Sequence, residues 1–177
     1  MKDGILPAFS LASALAVGFL AASCGRETIG PSLTASPAAA ISSDPAGFVL
    51  QKPNTAVDPG TGETISTTGA GSFNAGGIVA NGSFTQFNAA GSVVARGTWA
   101  ATGFTNFVRF DGPNPGVEGG QLTFSATLFP DGGSPMTGVT VIVTCRVNAP
   151  SGFTDEEGTT VGAFTEHTGG TTLFHNE

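Results

Sequence analysis

The sequence of 177 residues contains no tyrosine, one tryptophan, two histidines and two cysteines. It is also poor in charge, with six basic and thirteen acidic residues and a formal net charge of -7. So few basic residues cannot form a surface that neutralises phosphates, which argues against nucleic acid or an anionic membrane surface as a partner. Aromatic platforms for sugars usually depend on Trp and Tyr, so the composition gives little support to carbohydrate binding.

Glycine and apolar residues are abundant instead. The chain has 27 glycines and 14 phenylalanines, and 40% of its residues are hydrophobic. This is enough apolar material to build a core, and too little charge for a solvated disordered chain. The length indicates a single domain.

Residues 1–23 have the pattern of an export signal. An uncharged apolar run extends from Leu11 to Ala22, and it is too short for a bilayer core, which needs roughly 20 residues. The run follows a short segment containing Lys2 and Asp3 and ends in small residues, as the apolar region of a secretory signal peptide does. An uncleaved anchor that begins near Ile5 is the alternative.

The end of this segment carries a more specific pattern. Residues 20–24, Leu-Ala-Ala-Ser-Cys, resemble the lipobox of bacterial lipoproteins, and the resemblance covers the signal alone. It implies that Cys24 becomes the lipidated first residue of the mature chain, with acyl chains that anchor the protein to a membrane. Because Gly25 and not Asp follows the cysteine, the resemblance implies the outer membrane of the cell envelope. Cleavage by the ordinary secretory peptidase, giving a secreted protein, is the alternative.

The second cysteine, Cys145, has no obvious partner if Cys24 carries lipid. It lies in the segment 139–147, where the period-2 pattern places it on the same strand face as four valines. This pattern predicts a buried thiol that behaves as a small hydrophobic group. A reactive thiol and a disulfide between Cys24 and Cys145 are the alternatives.

The rest of the chain divides into a tether and a body. Residues 24–46 comprise the lipidated cysteine and a Pro-, Ala- and Ser-rich segment without periodicity, which predicts a flexible tether with a reach of about 25 Å. Residues 47–177 are rich in Thr, Val and Phe, and short glycine-rich segments separate these stretches. They predict an all-β domain of about 8–9 short antiparallel strands, arranged as a β-sandwich or a β-barrel.

Individual strands and turns follow from the same pattern. The clearest period-2 alternation predicts strands over 92–100, 104–110, 121–129 and 138–147, and weaker alternation predicts strands over 47–51, 71–75, 78–87, 160–167 and 171–175. Turns are expected at Asn81-Gly82, 111–116, 131–133 and Gly169-Gly170. No long stretch of the body has an apolar 3.6-residue period, so little or no helix is expected.

No group of residues predicts a catalytic centre, a cofactor site or a metal site. If Gly169-Gly170 form a two-residue turn, His167 and His175 point to opposite faces of one hairpin, which favours surface histidines over a metal pair. The acidic run Asp155-Glu156-Glu157 could help to ligate a hard cation, but its consecutive spacing favours a solvated loop.

Three arginines are the most informative charged residues of the body. Arg96, Arg109 and Arg146 each lie inside a predicted strand, on the face opposite its most apolar residues. They could pair with acidic residues across strands on a solvent-facing surface. Alternatively, a closed barrel could bring them together in its lumen to bind an anionic ligand.

The sequence therefore predicts a lipid-anchored cell-envelope protein with a non-catalytic structural or interaction β-domain, which meets the membrane through Cys24. A first alternative is a barrel that binds a small anionic or apolar molecule, similar in general architecture to lipocalin-like carriers. An enlarged Phe-lined cavity would be its signature. A second alternative is a small envelope enzyme that uses Glu157, Glu166 or His167 on the rim of the same scaffold.

Overall fold

A computed structural model describes residues 46–111 and 118–176 of the chain. The predicted signal segment 1–23, the lipidation site Cys24 and the tether up to residue 45 lie outside the described residues, as does most of the predicted turn 111–116. The strands are β1 (Ala46–Val57), β2 (Thr64–Asn74), β3 (Gly77–Phe87), β4 (Val93–Phe110), β5 (Gly119–Pro130), β6 (Met136–Cys145), β7 (Gly158–Val161) and β8 (Glu166–Asn176). The prediction that the body has little or no helix is confirmed for the described residues. In that part of the chain, no helix has the length and hydrophobicity to cross a membrane.

The eight strands form one antiparallel sheet in the order β7-β6-β5-β4-β3-β2-β1-β8. Each of the first six strands pairs with the next along the chain, and β8 returns to pair with β1. The edge strands β7 and β8 come together where the sheet curls round, and an isolated bridge joins Glu118 to Phe174. The sheet is therefore a nearly closed barrel, which confirms the all-β prediction and decides between its two alternatives.

Apolar side chains fill the inside of this barrel. Phe48, Phe124 and Phe174 are fully buried, and the ring centroid of Phe48 lies 6.0 Å from that of Phe124 and 6.4 Å from that of Phe174. On β5, the inward residues Leu122 and Phe124 are completely buried and alternate with more exposed polar ones. The phenylalanines thus supply the core that a small barrel with little charge needs.

One long strand replaces two predicted ones. Segments 92–100 and 104–110 both belong to β4, which has 18 residues and register shifts at Ala101/Gly103 and Phe104/Asn106. Each bulge adds a residue and reverses which side chains face the core. Phe107 consequently points inward against Phe73, with ring centroids 4.8 Å apart, although the unbroken alternation had placed it on the mixed face.

Two predicted turns are wrong. Asn81-Gly82 lies within β3 and Gly169-Gly170 within β8, whereas residues 131–133 do form part of the loop between β5 and β6. The predicted strand 160–167 is interrupted by the turn at Gly162-Ala163 that joins β7 to β8. His167 and His175 therefore lie on one strand and not on two arms of a hairpin.

The prediction of a buried thiol at Cys145 is confirmed, because this free cysteine is 1% exposed at the end of β6. Burial raises the pKa of the Cys145 thiol above its ordinary value, and the negative charge of Glu157 adds to the rise. As the pH increases through about 8.5, the thiol of the unfolded chain ionises while the folded chain still holds its proton. The free energy of unfolding should therefore fall with pH above this point.

The contribution of Cys145 can be measured in a Cys24→Ser background, where Cys145 is the remaining thiol. We expect urea unfolding to show a loss of stability between pH 7.5 and 9.5 that is absent when Cys145 is also replaced by Ala. Alkylation of the native thiol should be much slower than that of the urea-unfolded chain. Equal alkylation rates in the two states would contradict the buried placement.

Candidate functional site

A large concave surface in the described part of the chain lies outside the barrel. It is a cleft of about 590 Å³ against the outer faces of β5, β6 and β7, bounded by the loop that follows β6 and by the start of β8. We call it the outer cleft, and the lining residues used below are Gln121, Ile142, Asp155, Glu156, Glu166 and His167. Its volume lies within the range of about 300–1,000 Å³ that is usual for small-molecule sites.

Strand alternation supplies the floor of the outer cleft. Leu122 and Val143 point into the barrel and are completely buried, so their neighbours Gln121 and Ile142 point outward. Gly158 begins β7 beside them with a φ of 135°, a conformation that favours glycine. Because Gly158 has no side chain, the imidazole of His167 from β8 can lie directly against its backbone.

The loop 146–157 supplies one wall and is held in place by several contacts. The ring of Phe153 packs against that of Phe110 with centroids 4.6 Å apart, and Arg146 donates a hydrogen bond to the carbonyl oxygen of Phe153 at 3.4 Å. The side-chain amide of Gln121 donates to Oδ2 of Asp155 at 2.8 Å. These contacts fix the carboxylate of Asp155 at the edge of the cleft.

Charge in the outer cleft has one sign. Asp155 and Glu156 extend from the loop, and Glu166 from the start of β8, while no Lys or Arg side chain lines the cleft in the described residues. Glu157, the third residue of the acidic run, instead accepts a hydrogen bond from the backbone N–H of Thr172 at 3.4 Å. The cleft therefore offers carboxylate and hydrogen-bonding groups to a ligand that carries positive charge.

His167 has an unusual environment within this cleft. Its Nε2 is buried and has no hydrogen-bond partner in the described part of the chain. The other histidine, His175, lies eight residues further along β8, with its imidazole beside Gly47, and does not line the cleft. The structure thus separates the two histidines and places His167 with Glu166.

The three arginines do not come together. Arg96 is exposed on the first half of β4, and Arg109 lies near the other end of the same strand, where it pairs with the buried carboxylate of Glu118. Arg146 follows the last residue of β6 and is exposed, so its predicted position inside a strand is wrong. Arg109 does pair with an acidic residue, but Glu118 is buried, so this pair does not lie on the solvent-facing surface that was predicted.

The lumen leaves little room for a ligand. The cavity between Phe48, Trp99, Phe124 and their neighbours measures about 10 Å³, which is about the space that one water molecule needs. The enlarged Phe-lined cavity expected of a luminal carrier is not found among the described residues.

Sequence reasoning identified part of the outer cleft and missed the rest. The sequence marks Asp155 and Glu156 as part of one acidic run and Glu166 and His167 as candidate rim residues. It does not mark Gln121, because a single amide in a Thr- and Ser-rich strand carries no signal of its own. The described residues contain no group of three or more His, Cys, Asp or Glu that could hold a metal ion. The chemistry available in the cleft is hydrogen bonding and electrostatic attraction of a cation.

Comparison with known proteins adds no further assignment: no family model matches the chain, and no curated protein and no solved structure matches it.

Proposed function

We propose that this protein is a lipid-anchored protein of the bacterial cell envelope, whose β-domain is a non-catalytic binding module that uses its outer cleft. The anchor is supported by the lipobox-like residues 20–24 and by the apolar run that precedes them. In a cell with two membranes, Gly25 after the cysteine favours the outer membrane. The segment up to residue 46 would serve as the tether between Cys24 and the barrel.

The binding role is supported by the difference in volume between the lumen and the outer cleft. The interior holds a cavity of about 10 Å³, whereas the outer cleft measures about 590 Å³ and is lined with carboxylates. A filled barrel is a rigid support, and binding residues on the surface of such a support are well positioned. We therefore place recognition on the outer surface, in preference to the luminal carrier that the sequence left open.

The anchor can be tested by replacing Cys24 with Ser. Without the thiol no thioether-linked lipid can form, so we expect the protein to move from the membrane fraction to the soluble fraction of the cell. The matched control is Cys145→Ser, which removes the other thiol and should leave the protein in the membrane fraction. Intact-mass analysis of the wild-type protein should show a chain that starts at Cys24 and carries the mass of acyl chains.

Two results would contradict the anchor. One is a mature chain that starts at Cys24 without added acyl mass, which would indicate ordinary secretion. The other is a Cys24→Ser protein that remains in the membrane fraction, which would indicate an uncleaved signal segment as the anchor.

A further inference from the structure

The end of the β2–β3 hairpin exposes apolar side chains. We call residues 72–79 the hairpin tip. The side chain of Val79 is 76% exposed, and it points outward because its neighbours Ile78 and Ala80 pack toward the core. Ile78 itself is only half-buried. A concave surface of about 410 Å³ runs along the hairpin tip, and the residues that line it are uncharged.

This side of the barrel also carries no charge. Residues 64–95, which include all of β2 and β3, contain no Asp, Glu, Lys, Arg or His. The acidic residues of the loop 146–157 follow β6, and the strand order places β6 and β7 on the opposite side of the barrel from β2 and β3. Because charged groups are costly to remove from water, the β2–β3 side is the side that can approach an apolar phase at low cost.

The chain enters the barrel beside the hairpin tip. Ala46 begins β1 and pairs with Phe73 of β2, which pairs in turn with Ile78 of β3. Neighbouring strands are about 4.8 Å apart, so Ala46 lies within about 10 Å of Ile78. Val94 is another exposed valine, but it lies near the start of β4, at the other end of the barrel. The segment that leads from Cys24 therefore ends where the exposed apolar tip is.

We propose that the hairpin tip contacts the membrane to which Cys24 is anchored, with Val79 inserted among the lipid headgroups. This inference rests on the proposed anchor and adds an orientation to it. Removing one valine side chain from water favours such a contact about tenfold, which is too little to hold a free protein on a bilayer. The anchor makes it sufficient, because it keeps the barrel at a high effective concentration near the surface. The contact turns the outer cleft, on the opposite side, away from the membrane.

The test measures which end of the barrel meets the lipid. The lipidated protein, with Cys145→Ala to remove the other thiol, is reconstituted into phosphatidylcholine vesicles that contain a lipid with a nitroxide quencher near its headgroup. A fluorophore is attached through Val79→Cys. The matched control is Val94→Cys with the same fluorophore, because Val94 is also an exposed valine. We expect the quencher to lower the fluorescence at position 79 several times more strongly than at position 94.

A charge placed on the hairpin tip should abolish the contact. With the fluorophore attached through Ala75→Cys, at an exposed position of the tip, Val79→Asp should reduce the quenching to the level seen at position 94, because a carboxylate retains its water. Val94→Asp adds the same charge at the other end and should leave the quenching at position 75 unchanged. Urea unfolding should show that these exposed substitutions leave the stability close to that of the wild type.

The outcomes separate this inference from the proposed anchor. Vesicle-bound protein with equal quenching at positions 79 and 94 would overturn the membrane contact and leave the anchor in place. Unchanged quenching at position 75 after Val79→Asp would do the same. Protein that does not bind the vesicles would overturn the anchor and, with it, this inference. A fluorescence change at position 79 that grows with protein concentration in detergent, without vesicles, would assign the hairpin tip to a second copy of the chain and overturn the membrane contact.

Discussion

Replacing Gly82 by Ala should be among the most destabilising single substitutions in the barrel. Gly82 on β3 pairs with Gly69 on β2 on one side and with Trp99 on β4 on the other. The indole of Trp99 is 5% exposed and donates a hydrogen bond from Nε1 to the carbonyl oxygen of Thr68 at 3.0 Å. The ring thus lies across both glycines and takes the space that their side chains would need.

A methyl group at Gly82 would meet atoms that cannot move aside independently. A Cβ at this position would overlap the carbonyl oxygen of Thr68 and would lie 2.7 Å from both Cα of Gly69 and Nε1 of Trp99. Relief requires either separation of β2 from β3 or displacement of the indole from the core. We expect a loss of about 3 kcal/mol, at the upper end of the usual cost of overpacking, measured by urea unfolding with Trp99 fluorescence as the probe.

Gly103→Ala is the matched control for this substitution. It also adds one methyl group to a glycine within a strand, but a Cβ at Gly103 has no atom within 4 Å. We expect a change within about 0.5 kcal/mol of the wild-type stability, as for surface substitutions in general. Similar losses for the two variants would show that the backbone preference of glycine, and not the contact with Trp99, determines the effect at Gly82.

The same contact explains why sequence patterns placed a turn at Asn81-Gly82. Asn-Gly is a strong hairpin signal because both residues tolerate positive φ, yet this pair lies in the middle of β3. Glycine is required there by an indole from β4, seventeen residues later in the chain. A glycine in the sequence indicates that its position needs glycine. It does not indicate whether a turn or a side chain from a neighbouring strand is the reason.

Strand alternation, by contrast, was a reliable guide where no bulge intervened. The inward residues of β5 were identified correctly, because Leu122, Phe124 and Leu128 alternate without interruption. On β4 the bulge between Phe104 and Asn106 reversed the alternation before Phe107, and nothing local to the sequence marks a bulge. The all-β class was therefore predictable, while the face of individual side chains on β4 was not.

The candidate site was less predictable than the fold because it depends on where the chain reverses. Glu166 and His167 reach the outer cleft only because the turn lies at Gly162-Ala163 and not at Gly169-Gly170. Asp155 is held by Gln121, a residue 34 positions earlier in the chain. The sequence shows that these acidic, histidine and glutamine residues are present. It does not show that they lie close together, because their proximity follows from the closure of the sheet.

The second large effect is expected at Asn54, which lies at the seam where the sheet closes. Its side chain is completely buried and donates from Nδ2 to the carbonyl oxygens of Lys52 at 2.8 Å and Thr171 at 3.4 Å. Oδ1 accepts a hydrogen bond from the hydroxyl of Thr159 on β7 at 3.4 Å. One amide thus connects β1 with both edge strands of the sheet.

Gly170 accounts for how β8 accommodates this side chain. Its φ is 120°, and a Cβ there would lie 2.6 Å from Cγ of Asn54. The glycine pair in β8, which the sequence pattern assigned to a turn, therefore lets the strand pass over a buried amide. Because the amide satisfies groups on three strands, its loss should leave two carbonyl oxygens and one buried hydroxyl without this partner.

Asn54→Leu should lower the free energy of unfolding by about 3 kcal/mol, since it removes the hydrogen-bond partner of two carbonyl oxygens and of the buried hydroxyl of Thr159. The matched control is Asn74→Leu: Asn74 is exposed at the end of β2, where Oδ1 accepts from the N–H of Gly76 at 2.7 Å. That substitution should cost about 1 kcal/mol or less, because water can replace the lost hydrogen bond. Equal losses at the two sites would contradict the role of Asn54 at the seam.

Asn54→Asp gives a sharper test, because the introduced carboxyl has nearly the same shape as the amide. Two carbonyl oxygens face the position of Nδ2, so an ionised carboxylate would be repelled, and burial would raise its pKa above the ordinary value of about 3.9. Stability relative to wild type should be lowest at neutral pH and should recover as the pH falls through the raised pKa, where the protonated oxygen can donate to a carbonyl. We expect the difference in unfolding free energy between variant and wild type to be smaller at pH 5 than at pH 7.5. A difference that does not change with pH would mean that this position is open to water, and the seam would then not depend on a buried amide.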